Sequence, residues 1–384
     1  TAFTGWHTGY PDAPVRVLPH TCRDMPLEPG MLLFLCEFED KAAELCPRRL
    51  LHRILARARD MGFDAFAAFE YEFFLFNETP DSVREKGYRN LKPITPGFFG
   101  YSMLRSSVNA ELNQSLLELG QAMDFPIEGL HTETGPGVLE AAIAVDGAAN
   151  AADKAALFKT FTKVWAQRQN LMATFMAKWS NDYPGQSGHI HISLREKSGK
   201  SAFHDDSQSH GMSKTQRHFV AGQQQLMPQW MAMLAQTVNS YTRLVPGFWA
   251  PTEATWGIEN RTTALRVIPG SAKSQRVEFR IGSADANPYI ALAAALGAGL
   301  YGIQHELEPT DMVTGNAYEQ EQPEQLALPA SLDIAALALR RSAAAREYFG
   351  AEFVEHYAAS REWECREFRR HVTDWEMSRY FEII

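Results

Sequence analysis

Cysteine is scarce. Cys22, Cys36, Cys46 and Cys365 are the only four in 384 residues, with no C-x-x-C spacing, so neither a disulfide framework nor a thiolate zinc site is expected. Long apolar runs are missing as well. The longest, Tyr289 to Ile303 (YIALAAALGAGLYGI), is shorter than the roughly 20 residues needed to span a bilayer. Nor is there a basic surplus: 37 Lys+Arg against 46 Asp+Glu leave a net charge of -9. Neither a nucleic-acid nor a membrane partner is therefore expected. The opening TAFTGWHTGY has no basic and apolar leader, so a cytoplasmic protein is expected. It has no methionine either, so the true beginning is expected upstream of Thr1. A GxxxxGK[ST] loop is absent, which excludes a P-loop enzyme.

What is present is an ordinary globular balance, 45% hydrophobic and 22% charged, which excludes a disordered or collagen-like chain. At about 150 residues per domain, the length suits two or three domains, or one large domain with an appendage. Residues 1–45 read as strand and turn, punctuated by prolines, with MLLFLCEF (31–38) as an apolar strand. From Pro47, Leu50, Leu51, Ile54, Leu55, Ala58 and Met61 recur at helical spacing up to Gly62, which places a domain boundary near residue 45. Further helices are expected at about 108–124, 150–179, 214–238 and 331–347, and one capped by Asn287 with Pro288 at its first position. Strands interleave with helices without regular βαβ spacing, which predicts an α+β fold.

The informative strands carry charge where apolar side chains would be expected. In AFEYEFFLF (68–76), Glu70 and Glu72 share one face, roughly 6–7 Å apart, amid five apolar neighbours. Two carboxylates so placed repel each other unless a cation lies between them. GHIHISL (188–194) aligns His189, His191 and Ser193, and RVEFRI (276–281) aligns Arg276, Glu278 and Arg280. HTETGPGVLEAAI (131–143) brings Glu133 and Glu140 around a Gly-Pro-Gly turn. Each segment has a plainer reading as a solvated strand face or polar hairpin. Together with Arg243, Arg261 and Arg266 they total five glutamates, one or two histidines and five arginines. Carboxylates with histidine suit Mg²⁺ or Mn²⁺, and arginines suit polyphosphate and carboxylate groups. A metal-dependent enzyme that uses a nucleotide follows.

In this order, Glu70–Phe76, Glu133 to Glu140, Gly188–Leu194, Asn239–Gly247, Glu259–Thr262, Val277–Arg280 and Asn287–Tyr289 resemble the glutamine synthetase family over essentially residues 25–384. The stretch from Trp363 to Tyr380 is most similar to γ-glutamylpolyamine and γ-glutamylmonoamine synthetase members, which are glutamate–amine ligases. The resemblance implies an antiparallel half-barrel with outer helices over 46–384. Residues 1–45 would be the rear part of a small β-grasp-like N-terminal domain that closes a neighbour's site. It also implies a homo-oligomer, commonly a dodecamer of two hexameric rings, with ATP and two or three Mg²⁺ or Mn²⁺ ions.

Carried over residue by residue, Glu72, Glu133 and Glu140 would hold one metal, and Glu70, His189 and Glu278 a second. Arg243 would take the α-carboxylate of glutamate, with Gly185 near its amine and Glu72 on the same side. Arg261 and Arg280 would face the reacting carboxylate and phosphoryl group. Arg266 and Arg276 would contact ATP, with His191 and Ser193 nearby.

One departure bears on the nucleophile. Ammonia-using members carry a glutamate in V-P-G-[YF]-E-A-P, where this chain has Trp249 in Val245–Pro251. An indole cannot hold ammonium through a carboxylate but offers an apolar wall and a cation–π face. The expected activity is therefore ATP-dependent joining of glutamate to a small organic amine through γ-glutamyl phosphate, with Trp249 in the amine pocket. The plainer reading has Trp249 packed away from the site. Val138 also stands where ammonia enzymes usually have a polar residue, the family's second ammonium-site residue would fall upstream of Thr1, and Tyr318 reads as a loop tyrosine. Glutamine synthetase proper is the alternative enzyme, and a catalytically silent ring-forming paralogue is the alternative from another class.

Overall fold

The computed structural model describes residues 5–383. Four short strands come first: β1 (Val15–Val17), β2 (Arg23–Asp24), β3 (Leu32–Leu33) and β4 (Cys36–Phe38). They pair as two separate sheets, β1–β4 and β2–β3. The single strand expected over 31–38 is therefore two. It breaks at Leu35, whose N–H donates to the Thr21 hydroxyl and whose carbonyl accepts from Leu18. Backbone groups committed to that turn cannot continue a ladder.

Helix α1 (Pro47–Asp60) has the expected Pro start and buries Leu50, Leu51, Ile54, Leu55 and Ala58 along one face. It leads into β5 (Phe63–Phe76), then α2 (Pro80–Glu85), α3 (Met103–Val108) and α4 (Ala110–Ala122). Next come β6 (Ile127–Thr132), β7 (Val138–Ile143), β8 (Asp146–Gly147), α5 (Ala148–Arg168), β9 (Met172–Thr174), β10 (Gly188–Glu196) and α6 (Lys214–Trp230). The chain continues through β11 (Trp256–Ile258), β12 (Leu265–Ile268), β13 (Arg276–Phe279) and α7 (Pro288–Gln304). It closes with α8 (Leu332–Arg341), α9 (Ala343–Phe349), α10 (Ala351–Phe368) and α11 (Asp374–Tyr380).

Nine strands form one sheet, in the order β11-β12-β13-β10-β5-β7-β6, with β8 and β9 also on β5. Strand β5 is long enough to change partners: β10 pairs with Phe63–Tyr71, β7 with Glu70–Phe74 and β9 with Phe74–Phe76. Every pair in this sheet is antiparallel except β11–β12, which is parallel. There the chain reverses just after β11 through Glu259, whose φ of 50° is left-handed. Helices α1, α5, α6 and α7 share one large apolar core with the buried face of the sheet.

The apolar run at 289–303 is α7, capped by the Asn287 side chain and buried almost all round. Its glycines let α6 approach closely. A Cβ on Gly222 would lie 2.1 Å from the Ala298 carbonyl oxygen, and one on Gly302 would lie 2.0 Å from that of His218. No helix among the described residues is long and apolar enough to cross a membrane.

Two helical expectations ran too long, and a third is divided. The helix expected over 150–179 ends at Arg168; Asn170 turns left-handed at φ 57°, and β9 then pairs with the far end of β5. The 214–238 helix ends at Trp230, two residues past Pro228. The 331–347 helix is divided at Ser342, which leaves α8 and caps α9 by accepting from the Ala345 N–H.

A buried ion network ties the N-terminal strands to the helices. Arg48 on α1 donates to Glu37 on β4 at 2.5 Å and to both oxygens of Asp153 on α5 at 2.8 and 3.0 Å, while the Tyr289 hydroxyl donates to Asp153 at 2.7 Å. Removing one partner of such a set strands the others' charge, a loss of about 3–5 kcal/mol. Arg48→Ala should lower the stability measured in urea by that order, with Glu37 and Asp153 left uncompensated.

Candidate active site

Strand register gathers the ionisable side chains. His189 on β10 sits opposite Glu70 on β5, and His191 opposite Glu278 on β13. Arg266 on β12 also faces Glu278, while on the other side Glu72 on β5 faces Glu140 on β7, and His131 on β6 faces Glu140. Opposed residues in a ladder have Cβ atoms about 4.5–5.5 Å apart. One polar stripe therefore crosses six strands. Glu133 follows β6, and the turn to β7 needs glycine: Gly137 has φ 71°, and a Cβ there would lie 2.6 Å from the Leu75 carbonyl oxygen.

The stripe floors a cavity of about 740 Å³. Glu70, Glu72, Glu133, Glu140, His189 and Glu278 all line it, as do His191, Gly185, Trp249 and the five arginines, Arg243, Arg261, Arg266, Arg276 and Arg280. Ser193 does not: it lies further along β10, opposite Phe66 and away from the carboxylates. Trp249 is not packed away. It belongs to the cavity lining, is 55% exposed, and takes a left-handed backbone at φ 57°, an unusual conformation for a bulky residue. Its neighbour Phe248 lies under the Lys178 ammonium, 4.7 Å from the ring centre.

Possible metal ligands cluster in three groups with atoms within 4.8 Å of one another: Glu70–His191–Glu278, Glu70–Glu140–His189 and His131–Glu133–Glu140. Glu72 belongs to none of these three; one of its oxygens accepts from the Ser187 N–H at 2.6 Å, and it stands opposite Glu140 across the ladder. His131 also lies beside Glu133 and Glu140. Sequence reasoning passed over this histidine, although it shares strand parity with Glu133. Tyr101 was also passed over. It comes from a loop without periodicity and stacks on His131 with ring centres 4.7 Å apart.

Charges in the stripe oppose burial. Burial alone would raise Glu70, but His189 and His191 hold it well below the usual carboxylate range. Likewise burial would raise Glu278, yet His189, Arg280 and His191 keep it at about 2. Glu140 goes the other way. Burial pushes it up to about 8, with Glu70 and Glu72 adding to the rise and His131 opposing it.

The donor set fits a hard divalent cation: carboxylate oxygens with imidazole nitrogens, and no sulfur. The buried His131 Nε2 lies 3.5 Å from Glu133 and 3.2 Å from Glu140 without hydrogen-bond geometry to either, and the buried His189 Nε2 has no partner. Below about pH 8 a cation must displace the proton on Glu140, and below about pH 10 the one that Glu133 and Glu140 hold on His131, so its affinity should weaken steadily as pH falls, by up to ten-fold per unit for each proton displaced. Titration calorimetry with Mn²⁺ from pH 6 to 9 checks this, with proton uptake by the buffer accompanying binding throughout.

Arg243 is almost fully buried; its two terminal nitrogens donate to the Ile281 and Arg280 carbonyl oxygens at 3.2 Å each. Gly185 lies against it, and a Cβ there would be 2.5 Å from Arg243 Cγ. Arg280 and Arg266 both donate to Glu278, the latter at 2.9 Å. The cavity thus joins a carboxylate-lined floor to a cationic wall, an arrangement that can hold polyanionic substrates beside divalent cations.

Known proteins share this arrangement. The family model for the glutamine synthetase catalytic domain matches residues 44–380. A type-1 glutamine synthetase of Dictyostelium discoideum is 45% identical over 388 residues, covering 100% of this chain and 74% of that protein. A glutamate–isopropylamine ligase of a Pseudomonas species is 36% identical over 387 residues, covering 100% and 84%. Among solved structures, a GmaS–ADP complex superposes with a TM-score of 0.87 at 26% identity, covering 97% of this chain and 86% of that one. From its sheet order, its carboxylate stripe and these matches, the chain belongs to the glutamine synthetase family.

Proposed function

We propose that the protein uses ATP to join the γ-carboxylate of glutamate to a small organic amine, giving a γ-glutamylamide. Trp249 is the observation that carries the choice of amine. It lines the cavity where ammonia-using members hold a glutamate. Phe248, Phe74 and Val138 also line the cavity. Trp249 supplies no acidic partner for a second ammonium, so a monoamine with an apolar tail suits it at least as well as a diamine. The relative named as a glutamate–isopropylamine ligase supports the same reading.

Glu133 and Glu140, joined by His131 and flanked by Glu72, would hold one Mg²⁺ or Mn²⁺ ion. Glu70, His189 and Glu278 would hold a second, His189 lying 3.2 Å from Glu70 and 3.4 Å from Glu278 with His191 beside them, and the Glu70–Glu140–His189 group is the candidate for a third. Bound there, the ions supply neutralising charge at the phosphate oxygens. The remaining roles belong to the protein. Arg243 and the backbone near Gly185 orient glutamate, while Arg266 and Arg276, with His191 between the strands, hold ATP. Arg261 and Arg280 stabilise charge on the phosphoryl group as it passes to the γ-carboxylate oxygen. Transfer turns a poor leaving group into phosphate. The neutral amine nitrogen then attacks the acyl carbon and forms the amide bond as the carbon–oxygen bond to phosphate breaks, and the nitrogen's proton leaves to the departing phosphate or to solvent. Trp249 and Tyr101 flank its approach and keep water from competing.

Hydroxylamine tests the acyl phosphate. In place of the amine it should yield γ-glutamyl hydroxamate from glutamate and ATP with Mg²⁺. ATP cleavage without hydroxamate would contradict the chemistry, and ATP binding without cleavage across a broad amine panel would favour a silent paralogue. The 45% identity to a protein named glutamine synthetase favours ammonia as the second reading.

We also propose that residues 1–45 belong to the N-terminal domain that closes a neighbouring subunit's cavity in a ring assembly of two hexamers. Val15, Val17 and Phe38 are exposed on β1 and β4, which supports an interface there.

A further inference from the structure

We propose that Asp285 is the positioning residue of the glutamate pocket, fixing the turn that carries Arg243. This rests on the reading of Arg243 as the holder of the glutamate α-carboxylate. Arg243 ends the 3₁₀ turn Asn239–Arg243, and among the described residues its side chain makes no salt bridge. Its direct partners are two neutral carbonyl groups, so no charged side chain clamps the guanidinium and its place depends on the turn that carries it.

Asp285 ties down the backbone. One of its oxygens accepts from the Thr237 and Ser240 hydroxyls, both at 2.8 Å. The two hydroxyls lie 3.0 Å apart, and the Ser240 N–H donates to Thr237 Oγ1 at 3.1 Å, which closes a triangle at the start of the Arg243 turn. A second brace runs alongside: Gln236 accepts from the Asn287 N–H at 3.0 Å. The other Asp285 oxygen is buried without a partner. Lys159 on α5 donates to the Ala286 carbonyl at 2.6 Å rather than to Asp285, and Arg361 donates to the Gln236 carbonyl, so the two hydroxyls are the direct partners of Asp285 among the described residues. Gly185 on the opposite side leaves the guanidinium stem no slack, so a shift in the turn moves the carboxylate clamp.

Calorimetric binding of L-glutamate, with Mg²⁺ and a non-hydrolysable ATP analogue present, separates the roles. Asp285→Asn replaces two charge-assisted hydrogen bonds to the Thr237 and Ser240 hydroxyls with weaker amide ones; by loosening the turn it should weaken glutamate about ten-fold while the Kd for the ATP analogue stays within two-fold. Ser240→Ala keeps the charge and cuts one tether, and should weaken glutamate about three-fold. Equal glutamate affinity in Asp285→Asn and wild type would overturn the positioning role. So would uniform weakening of both ligands with a lowered Tm, which marks a purely structural part. Should Asp285→Asn fail to fold, Ser240→Ala together with Thr237→Val carries the same test, and unchanged glutamate affinity there would overturn the proposal. A wild type that bound no glutamate would instead refute the functional reading itself.

Discussion

Glu278→Gln should lower turnover about a thousand-fold while leaving the fold assembled. The wild-type carboxylate is almost fully buried between His189 at 3.4 Å, Arg266 at 2.9 Å and Arg280. Removing its charge leaves Arg280 without a carboxylate partner among the described residues and Arg266 with only the exposed Glu259, a loss of about 3–5 kcal/mol. If that loss falls on the bound reactants, it corresponds to about two to four decades of rate. The same change removes a proposed metal ligand, so Mn²⁺ affinity should fall with it. Glu259→Gln is the matched control. Its carboxylate also accepts from Arg266, at 2.9 Å from Nε, but it is exposed at the rim, and less than a ten-fold change is expected. Steady-state phosphate release and Mn²⁺ titration of both variants check the contrast. Equal effects would mean that Glu278 serves only as a structural ion-pair partner.

The second large effect concerns the nucleophile. Trp249→Glu should lower kcat/KM for amines with an apolar tail by about ten- to a hundred-fold, the amount expected from losing one large apolar contact. It should also raise the use of ammonium, because a carboxylate at that position can hold the cation and take its proton. An amine preference unchanged from wild type would remove Trp249 from the pocket's function.

Much of this site was visible in the sequence because strand geometry is simple. A period of two puts Glu70 and Glu72, or His189 and His191, on one face whatever the sheet order. What periodicity cannot supply is the neighbour. The Ser187 N–H, from the segment entering β10, reaches the Glu72 carboxylate, and β6 aligns His131 with Glu140, contacts that no strand's own period encodes. Ser193 has the same parity as His191 but lies outside the cavity lining. Tyr101 belongs to a loop and has no periodicity to reveal it. Helix ends were misjudged for a related reason: α5 stops where β5 offers β9 an edge, a tertiary choice that the Ala-rich run does not encode.

The central claim is that an organic amine, not ammonia, is the nucleophile. The most direct measurement is phosphate release by the purified protein with saturating glutamate and MgATP, titrated with ammonium and with a panel of mono- and diamines. The account predicts that at least one amine with an apolar tail exceeds ammonium in kcat/KM by ten-fold or more, with the γ-glutamylamide found by mass. Ammonium surpassing every amine in the panel would contradict it and return the chain to glutamine synthesis.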